Sequence, residues 1–284
     1  MNVLVTGATG YIGRRLVDVL IYEGYHVRIL VRKHSDLFMS VGQVIGNLAD
    51  LDSLKDVTKD VDVVFHLGGG MRPSDGDFQT VNAEGTKRLM EESIRTDVRR
   101  FVFMSAATVY GNVANPPAKE SDICNPLTGH AYALSKLEAE NELVKLSNLG
   151  TEVTILRPAQ VYSAGSPAIQ RFPTLAQMVE GNNQTHFVHR EDVVQAVLFL
   201  AAHENSQGTY NVADELPLTV REAASTIENA GIRVGNSLSQ GSGTIAPMLR
   251  RVMEATLVLD TSKITHLGFS LKYPSLEVGI HHEI

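Results

Sequence analysis

Apolar positions along the chain change period several times, and each change marks an element. Residues 2–6 form a short apolar run with β-branched members, bounded by Gly7, which predicts a buried strand. Over residues 12–22 the apolar side chains recur at helical spacing, at Ile12, Leu16, Val19 and Leu20, and Gly24 stands where a helix C-cap belongs. The same reading places strands at 26–31, 62–67, 101–105 and 152–156, and helices at 51–57, 78–94 and 131–146. Pro158 is expected to stop the last of these strands. Near-continuous apolar strands alternating with helices predict an α/β fold, a doubly wound parallel sheet of the Rossmann kind. Beyond Pro158 the alternation weakens. Residues 162–184 read as mixed and loop-like, 192–202 as a helix, and 209–212 as a short strand placed to rejoin the sheet. Thr219, with Glu222 three residues on, predicts a capping box opening another helix. Residues 236–243, rich in Ser, Gly and Asn, read as a flexible loop.

Composition narrows the classes. With 284 residues, 43% hydrophobic and 20% charged, the chain can bury a full core and has no signature of disorder. A formal net charge of -7 gives no electrostatic footprint for nucleic acid. The single cysteine, Cys124, excludes an internal disulfide. No apolar run approaches the roughly 20 residues of a membrane span, and Met1 leads directly into a strand without a basic segment. The expectation is a cytoplasmic protein with neither a membrane nor a nucleic-acid partner, acting on a small-molecule substrate. No cluster of metal-ligand residues stands out.

Two motifs carry chemistry. Thr6-Gly7-Ala8-Thr9-Gly10-Tyr11-Ile12-Gly13 lies between the first strand and the first helix. Glycines there permit a tight turn and let backbone N–H groups approach a pyrophosphate at the positive end of the helix. A lone glycine pattern is weak evidence; at a strand-to-helix turn opening a βαβ unit it is strong. The second strand ends in Val31-Arg32-Lys33-His34, with no acid to accept a ribose 2′-hydroxyl. Arg32 and Lys33 would instead attract a 2′-phosphate, which points to NADP over NAD; the plain alternative is a solvated loop. Further on, Tyr132 and Lys136 stand four residues apart on one predicted helix face. An ammonium beside a phenol favours the phenolate, so Tyr132 could exchange a proton with a substrate hydroxyl while hydride moves to or from nicotinamide.

With these motifs in place the chain resembles the extended short-chain dehydrogenases/reductases, a family of nucleotide-sugar epimerases, dehydratases and reductases. Gly46-Asn47-Leu48 is similar to the family's adenine contact, with Asn47 for Asp; His66-Leu67-Gly68-Gly69 is similar to its His-Leu-Ala-Ala. Asn82-Ala83-Glu84-Gly85-Thr86, Phe187-Val188-His189-Arg190-Glu191-Asp192-Val193, Leu259-Asp260-Thr261-Ser262-Lys263 and Leu267-Gly268-Phe269 match further family signatures. The resemblance implies cofactor contacts at Gly7, Thr9, Gly10, Tyr11, Ile12, Gly13, Arg32, Lys33, Asn47, Leu48, Leu67, Gly68, Gly69, Asn82, Ser105 and Pro158, besides Tyr132 and Lys136. It implies a cofactor domain over residues 1–160 plus roughly 187–213, and a smaller substrate lobe over 161–186 and 214–284. It also implies a homodimer formed through the Tyr132 helix.

Three departures matter. Ser105-Ala106-Ala107-Thr108-Val109-Tyr110-Gly111 puts Ala106 where the family has its catalytic Ser or Thr. If that segment is extended, Thr108 faces the same side and can supply the hydroxyl; the alternative is a packed strand-end residue. Gln160 replaces an Asn that meets the substrate, and the stretch between Tyr162 and His189, which normally builds the nucleotide pocket, is short. Substrate contacts are expected at Thr108, Gln160 and Arg190. Three readings stay open: an epimerase or dehydratase on a nucleotide sugar, an NADPH-dependent carbonyl reductase, and a protein that binds NAD(P)H without turnover.

Overall fold

The computed structural model describes residues 1–50, 52–179, 182–232 and 245–282. In chain order it contains β1 (Asn2–Thr6), α1 (Tyr11–Tyr22), β2 (His26–Val31), β3 (Gly42–Ile45), β4 (Val63–His66), α2 (Gly85–Arg95), β5 (Arg100–Met104), α3 (Ala131–Leu146) and β6 (Glu152–Pro158). There follow β7 (Gln160–Tyr162), α4 (Pro167–Ala176), β8 (Gln184–Thr185), β9 (Phe187–His189), α5 (Arg190–Ala202), β10 (Gly208–Val212), β11 (Leu218–Thr219), α6 (Val220–Asn229), α7 (Ile245–Glu254), α8 (Ser262–His266) and α9 (Leu276–His281). Seven strands form one sheet in the order β10-β6-β5-β4-β1-β2-β3. The pairings β1–β2, β1–β4, β2–β3, β4–β5 and β5–β6 are all parallel. The Rossmann expectation therefore holds. Strand order reverses between β1 and β4, and in such sheets ligands bind outside the carboxyl ends at that reversal.

The chain divides into two compact units. One comprises Met1–Ser105, Ala131–Leu156 and Val197–Thr209; the other comprises Ala106–His130, Arg157–Ala196 and Tyr210–Ile284. The first unit is built on a buried cluster that includes Leu4, Val64, Phe101, Phe103, Leu143 and Ile155. Strand residues are apolar on both faces because helices cover both, so β4 and β5 are buried at every position. Arg100 and His66 are exceptions, Arg100 being a cation only 1% exposed. Its Nη1 donates to the carbonyls of Leu200, Ala201 and His203 at 2.9, 2.7 and 2.7 Å, and its Nε donates to Glu152 at 3.0 Å. It thus satisfies carbonyls that the C-terminal end of α5 leaves without helical partners. The second unit has its own cluster, with Tyr162, Phe172, Phe187, Ile227, Leu276 and Ile280 among its members.

Several elements differ from expectation. Only Asp52–Leu54 of the helix expected over 51–57 forms, as a 3-10 turn, because Asp56 takes a φ of 60° that no helix continues; Leu51 lies outside the described residues. The helix expected from residue 78 begins as a π-helical stretch, Gln79–Glu84, before α2. Gly85 at the junction lies so close to the preceding loop that a Cβ would fall 2.6 Å from the Leu48 carbonyl oxygen. Strand β6 runs on to Pro158, which a strand tolerates at its end because no further N–H is needed there. The segment read as loop-like holds α4, capped by Ser166, whose Oγ accepts from the Ile169 amide; Ile169, Phe172 and Leu175 are buried. The loop expected at 236–243 lies outside the described residues.

Candidate active site

In the first unit the glycine loop follows β1. Gly7 has a φ of +70°, and a Cβ on it would stand 2.7 Å from the backbone of Leu67 and Gly68. Gly13 is more constrained, since its Cβ would lie 2.1 Å from the Gly7 carbonyl oxygen. Helix α1 therefore starts in direct contact with the loop. It has no side-chain cap and no acid in its first turn, so nothing offsets its positive end.

This loop borders a cavity of about 810 Å³ that also takes in residues 30–35, 46–48 and 68–72, with Asp75 and Val81. Of the expected cofactor residues, Gly7, Thr9, Arg32, Lys33, Asn47, Leu48, Gly68 and Gly69 line it. Gly10, Tyr11, Ile12, Gly13, Leu67, Asn82, Ser105, Tyr132 and Lys136 are not among its lining residues. Arg72 and Asp75, which the sequence did not single out, are. Asp75 accepts from the amides of Met71 and Arg72, each at 2.9 Å. Its carboxyl is held below the usual range mainly by the Met71 amide, with the charges of Arg72 and Arg32 adding to the effect. The amide oxygen of Asn47, expected to face an adenine, accepts from the Ala49 N–H at 3.1 Å.

The floor of the cavity is fixed by buried polar groups. Thr86 Oγ1 donates to the Asn82 carbonyl, so it can only accept from His66 Nε2, at 2.8 Å. His66 is then the Nε2–H tautomer, and its Nδ1 accepts from Thr6 Oγ1 at 2.6 Å. Thr6 Oγ1 in turn accepts from the Gly68 amide at 2.9 Å. Burial, with the Lys136 charge adding to it, pushes the imidazole down to about 3, which keeps this relay neutral. Asn82 is committed on both sides of its amide. Its Oδ1 accepts from Gly70 N at 2.7 Å; its Nδ2 donates to Gly70 O at 3.0 Å and to Ser135 Oγ at 2.9 Å. Ser135 Oγ donates on to the Tyr132 carbonyl at 2.8 Å. Asn82 thus ties the loop at residues 68–70 to the start of α3.

Helix α3 presents Tyr132, Ser135, Lys136 and Glu140 on adjoining turns. Lys136 is buried; its Nζ donates to the Met104 carbonyl at 2.9 Å, 4.7 Å from the Phe103 ring and 6.0 Å from the Tyr132 ring. A Cβ on Gly69 would lie 3.5 Å from that Nζ, so the ammonium stands directly behind the cavity wall. Burial pushes Lys136 down to about 8 against the opposing charge of Glu140. Tyr132, half-buried by surface, lies in a densely packed recess that pushes its phenol up to about 12. The lowering of the phenol expected from its lysine neighbour is therefore outweighed by lost hydration. Ser105, expected at the cofactor, is buried and donates its hydroxyl to Glu140.

In the second unit Ala107–Tyr110 is a 3-10 turn, so the extended geometry that put Thr108 and Ala106 on one side does not occur. Among the described residues the buried Thr108 hydroxyl meets no hydrogen-bond partner. Tyr110 accepts from Arg157 Nη1 and donates to Asn211 Oδ1, both at 2.8 Å, which gives these motif positions a structural role. Pro158 ends β6, Gln160 opens β7 opposite Phe187 of β9, and Arg190 opens α5 with Glu191 3.5 Å away. Among the described residues no His, Cys and carboxylate group has the arrangement of a metal site.

A family model described as the NAD dependent epimerase/dehydratase family matches residues 3–213. The chain belongs to this family. Sterol demethylase protein B of Methylococcus capsulatus is 33% identical over 169 residues, 57% of this chain and 52% of that protein. The chain thus spans about half the length of the first curated relative it matches. A UDP-glucose 4-epimerase of Halalkalibacterium halodurans is 26% identical, with 99% of this chain and 94% of that one covered. Among solved structures, MoeE5 in complex with UDP-glucuronic acid and NAD has a TM-score of 0.79 at 28% identity, covering 99% of this chain and 96% of that one. In this epimerase/dehydratase family member no helix among the described residues is long and apolar enough to cross a membrane.

Proposed function

We propose that this family member is an NAD(P)-dependent enzyme that oxidises or reduces a hydroxyl or keto carbon, as an epimerase or dehydratase of a nucleotide sugar or a related small molecule. The observation that carries the reading is Gly69, which lines the dinucleotide-sized cavity on one side and abuts the Lys136 ammonium on the other. The residues fit the cofactor. The uncapped start of α1 suits a pyrophosphate, and the cavity walls at residues 30–35 and 46–48 suit an adenosine. When bound, the nicotinamide supplies the hydride chemistry. Tyr132 exchanges the proton with the substrate oxygen, and Lys136 holds positive charge beside it. We assign cofactor binding to residues 1–160 with roughly 187–213 and substrate recognition to the smaller lobe, 161–186 with 214–284, with Gln160 and Arg190 as contacts from the cofactor-binding stretch.

A second reading, an NADPH-dependent carbonyl reductase, is favoured by one feature. Arg32 and Lys33 line the cavity where a 2′-phosphate would lie, and no acid takes the place of a 2′-hydroxyl acceptor at the end of β2. Titration with NADPH and NADH, followed by nicotinamide fluorescence, tests both readings. Tighter NADPH binding that is lost in Arg32→Ala supports the reductase. NAD that co-purifies supports the epimerase or dehydratase. Binding of neither refutes the assignment.

A further inference from the structure

Glu140 lies one turn beyond Lys136 on α3, and both side chains are buried at 4% exposure. A buried carboxylate is costly unless it is paired and hydrogen-bonded. Glu140 receives the Ser105 hydroxyl, and Lys136 donates to the Met104 carbonyl. The two opposite charges are therefore tied to consecutive residues at the end of β5, which holds them in register on the helix. Among the described residues, the other titratable groups near Lys136, namely His66 and Tyr132, supply no opposite charge to it. His66, from β4, is neutral, and Tyr132, on α3 itself, keeps its proton.

We propose that Glu140 is a positioning residue of the reaction: with Ser105 as its anchor, it keeps the buried Lys136 ammonium charged and aimed behind Gly69. Without it, burial among Phe103, Met104 and His66 would favour a neutral amine, which can neither bind a ribose hydroxyl as a cation nor stabilise a developing phenolate. The proposal rests on the reading of Tyr132 and Lys136 as the proton-transfer pair, and explains why an acid that does not line the cavity is buried here.

The test follows Lys136 directly. Protein labelled at lysine Cε with carbon-13 is titrated by NMR, the Lys136 signal being assigned by its loss in Lys136→Arg. Glu140→Gln keeps the shape and an acceptor for Ser105 but removes the charge. In this variant the Lys136 ammonium should bind its proton about tenfold or more weakly. The alkaline limb of NADPH or NADH affinity should move to lower pH with it. Ser105→Ala, which keeps the charge but frees the carboxylate, should give a smaller shift of the same sign and serves if Glu140→Gln does not fold. An unchanged Lys136 titration in folded Glu140→Gln overturns the proposal while leaving the role of the pair intact. A shifted titration with cofactor affinity that Lys136→Met leaves untouched overturns the reading of the pair, and the proposal with it.

Discussion

Replacing Gly13 by alanine sets two effects against each other. Alanine is the better helix former by about 1 kcal/mol, and position 13 lies in the first turn of α1, where that gain would apply. Against it, the new Cβ would stand 2.1 Å from the Gly7 carbonyl oxygen and 3.1 Å from the Ala8 Cα. Those neighbours are backbone, not the far ends of flexible side chains, and Gly7 is itself pinned against Leu67 and Gly68. Restoring an ordinary contact of about 3.5 Å requires the helix start and the loop to part by roughly 1.4 Å. Overpacking of this kind costs about 1–3 kcal/mol, and a clash against backbone belongs at the upper end, about 2–3, so the clash should win by about 1–2 kcal/mol. At this chain length that is roughly 2–8 °C in melting temperature. The same displacement withdraws backbone donors from the pyrophosphate position. Losing one charge-assisted hydrogen bond, worth about 1.5–3 kcal/mol, weakens cofactor binding by roughly ten- to a hundredfold. Thermal unfolding and NADPH or NADH titration of Gly13→Ala measure the two effects. A variant as stable as the wild type, with equal cofactor affinity, would refute both the packing argument and the placement of the cofactor at this turn.

Three further outcomes are expected. Arg100→Met keeps the bulk but strips three carbonyls and Glu152 of their donor, and should cost about 3–5 kcal/mol in urea denaturation; a loss under about 1 kcal/mol would show that water replaces the guanidinium. Asn82→Asp keeps the acceptor for Gly70 N but sets an oxygen against the Gly70 carbonyl, and the Ser135 hydroxyl can donate to it only by leaving the Tyr132 carbonyl, so cofactor affinity should fall at least about tenfold; unchanged affinity would mean that the loop is held by other groups. Asp214 is buried, its carboxyl pushed up from 3.8 to about 8 chiefly by burial, with the amides of Leu216 and Leu276 only partly offsetting this. The folded state then holds a proton that the unfolded state has lost between about pH 4 and pH 8, so stability falls as pH rises through that window. Asp214→Asn lacks this loss, and its stability relative to the wild type should climb from pH 5 to pH 8; parallel profiles would show that the carboxyl is already ionised in the fold.

The parallel, doubly wound character of the sheet was legible because buried parallel strands need no alternation: β1, β4 and β5 each show as an apolar run. The glycine loop was legible for the same local reason, its constraint being a turn of a few residues. Helix α4 was hidden by Pro173 in its interior, which reads as a breaker, and β3 by its four half-covered or exposed positions at the sheet edge. What spacing could not disclose was which way committed side chains turn. Asn82 reaches Ser135 across 53 residues and Ser105 reaches Glu140 across 35, so both look like cavity residues in sequence while their polar atoms are engaged by the protein. Thr108 failed differently: the argument for it needed an extended backbone, and the chain turns there instead.

The electrostatics of α3 also bear on the proposed proton transfer. With the phenol near 12 and the ammonium near 8, the pair at pH 7 is a proton donor beside a cation. For Tyr132 to act as a base near pH 7, its proton affinity would have to fall by about five pKa units, roughly 7 kcal/mol. A single ammonium about 6 Å from the ring supplies about 3 kcal/mol at an effective dielectric constant of about 20. Lys136 alone therefore provides less than half of what oxidation of a hydroxyl demands, whereas donation to the oxygen of a carbonyl under reduction needs no such shift. The same pair must serve both directions, and the resting charge state fixes only which group holds the proton before cofactor and substrate bind. Because that state depends on the lysine staying protonated, the buried carboxylate of Glu140 becomes the group on which it turns.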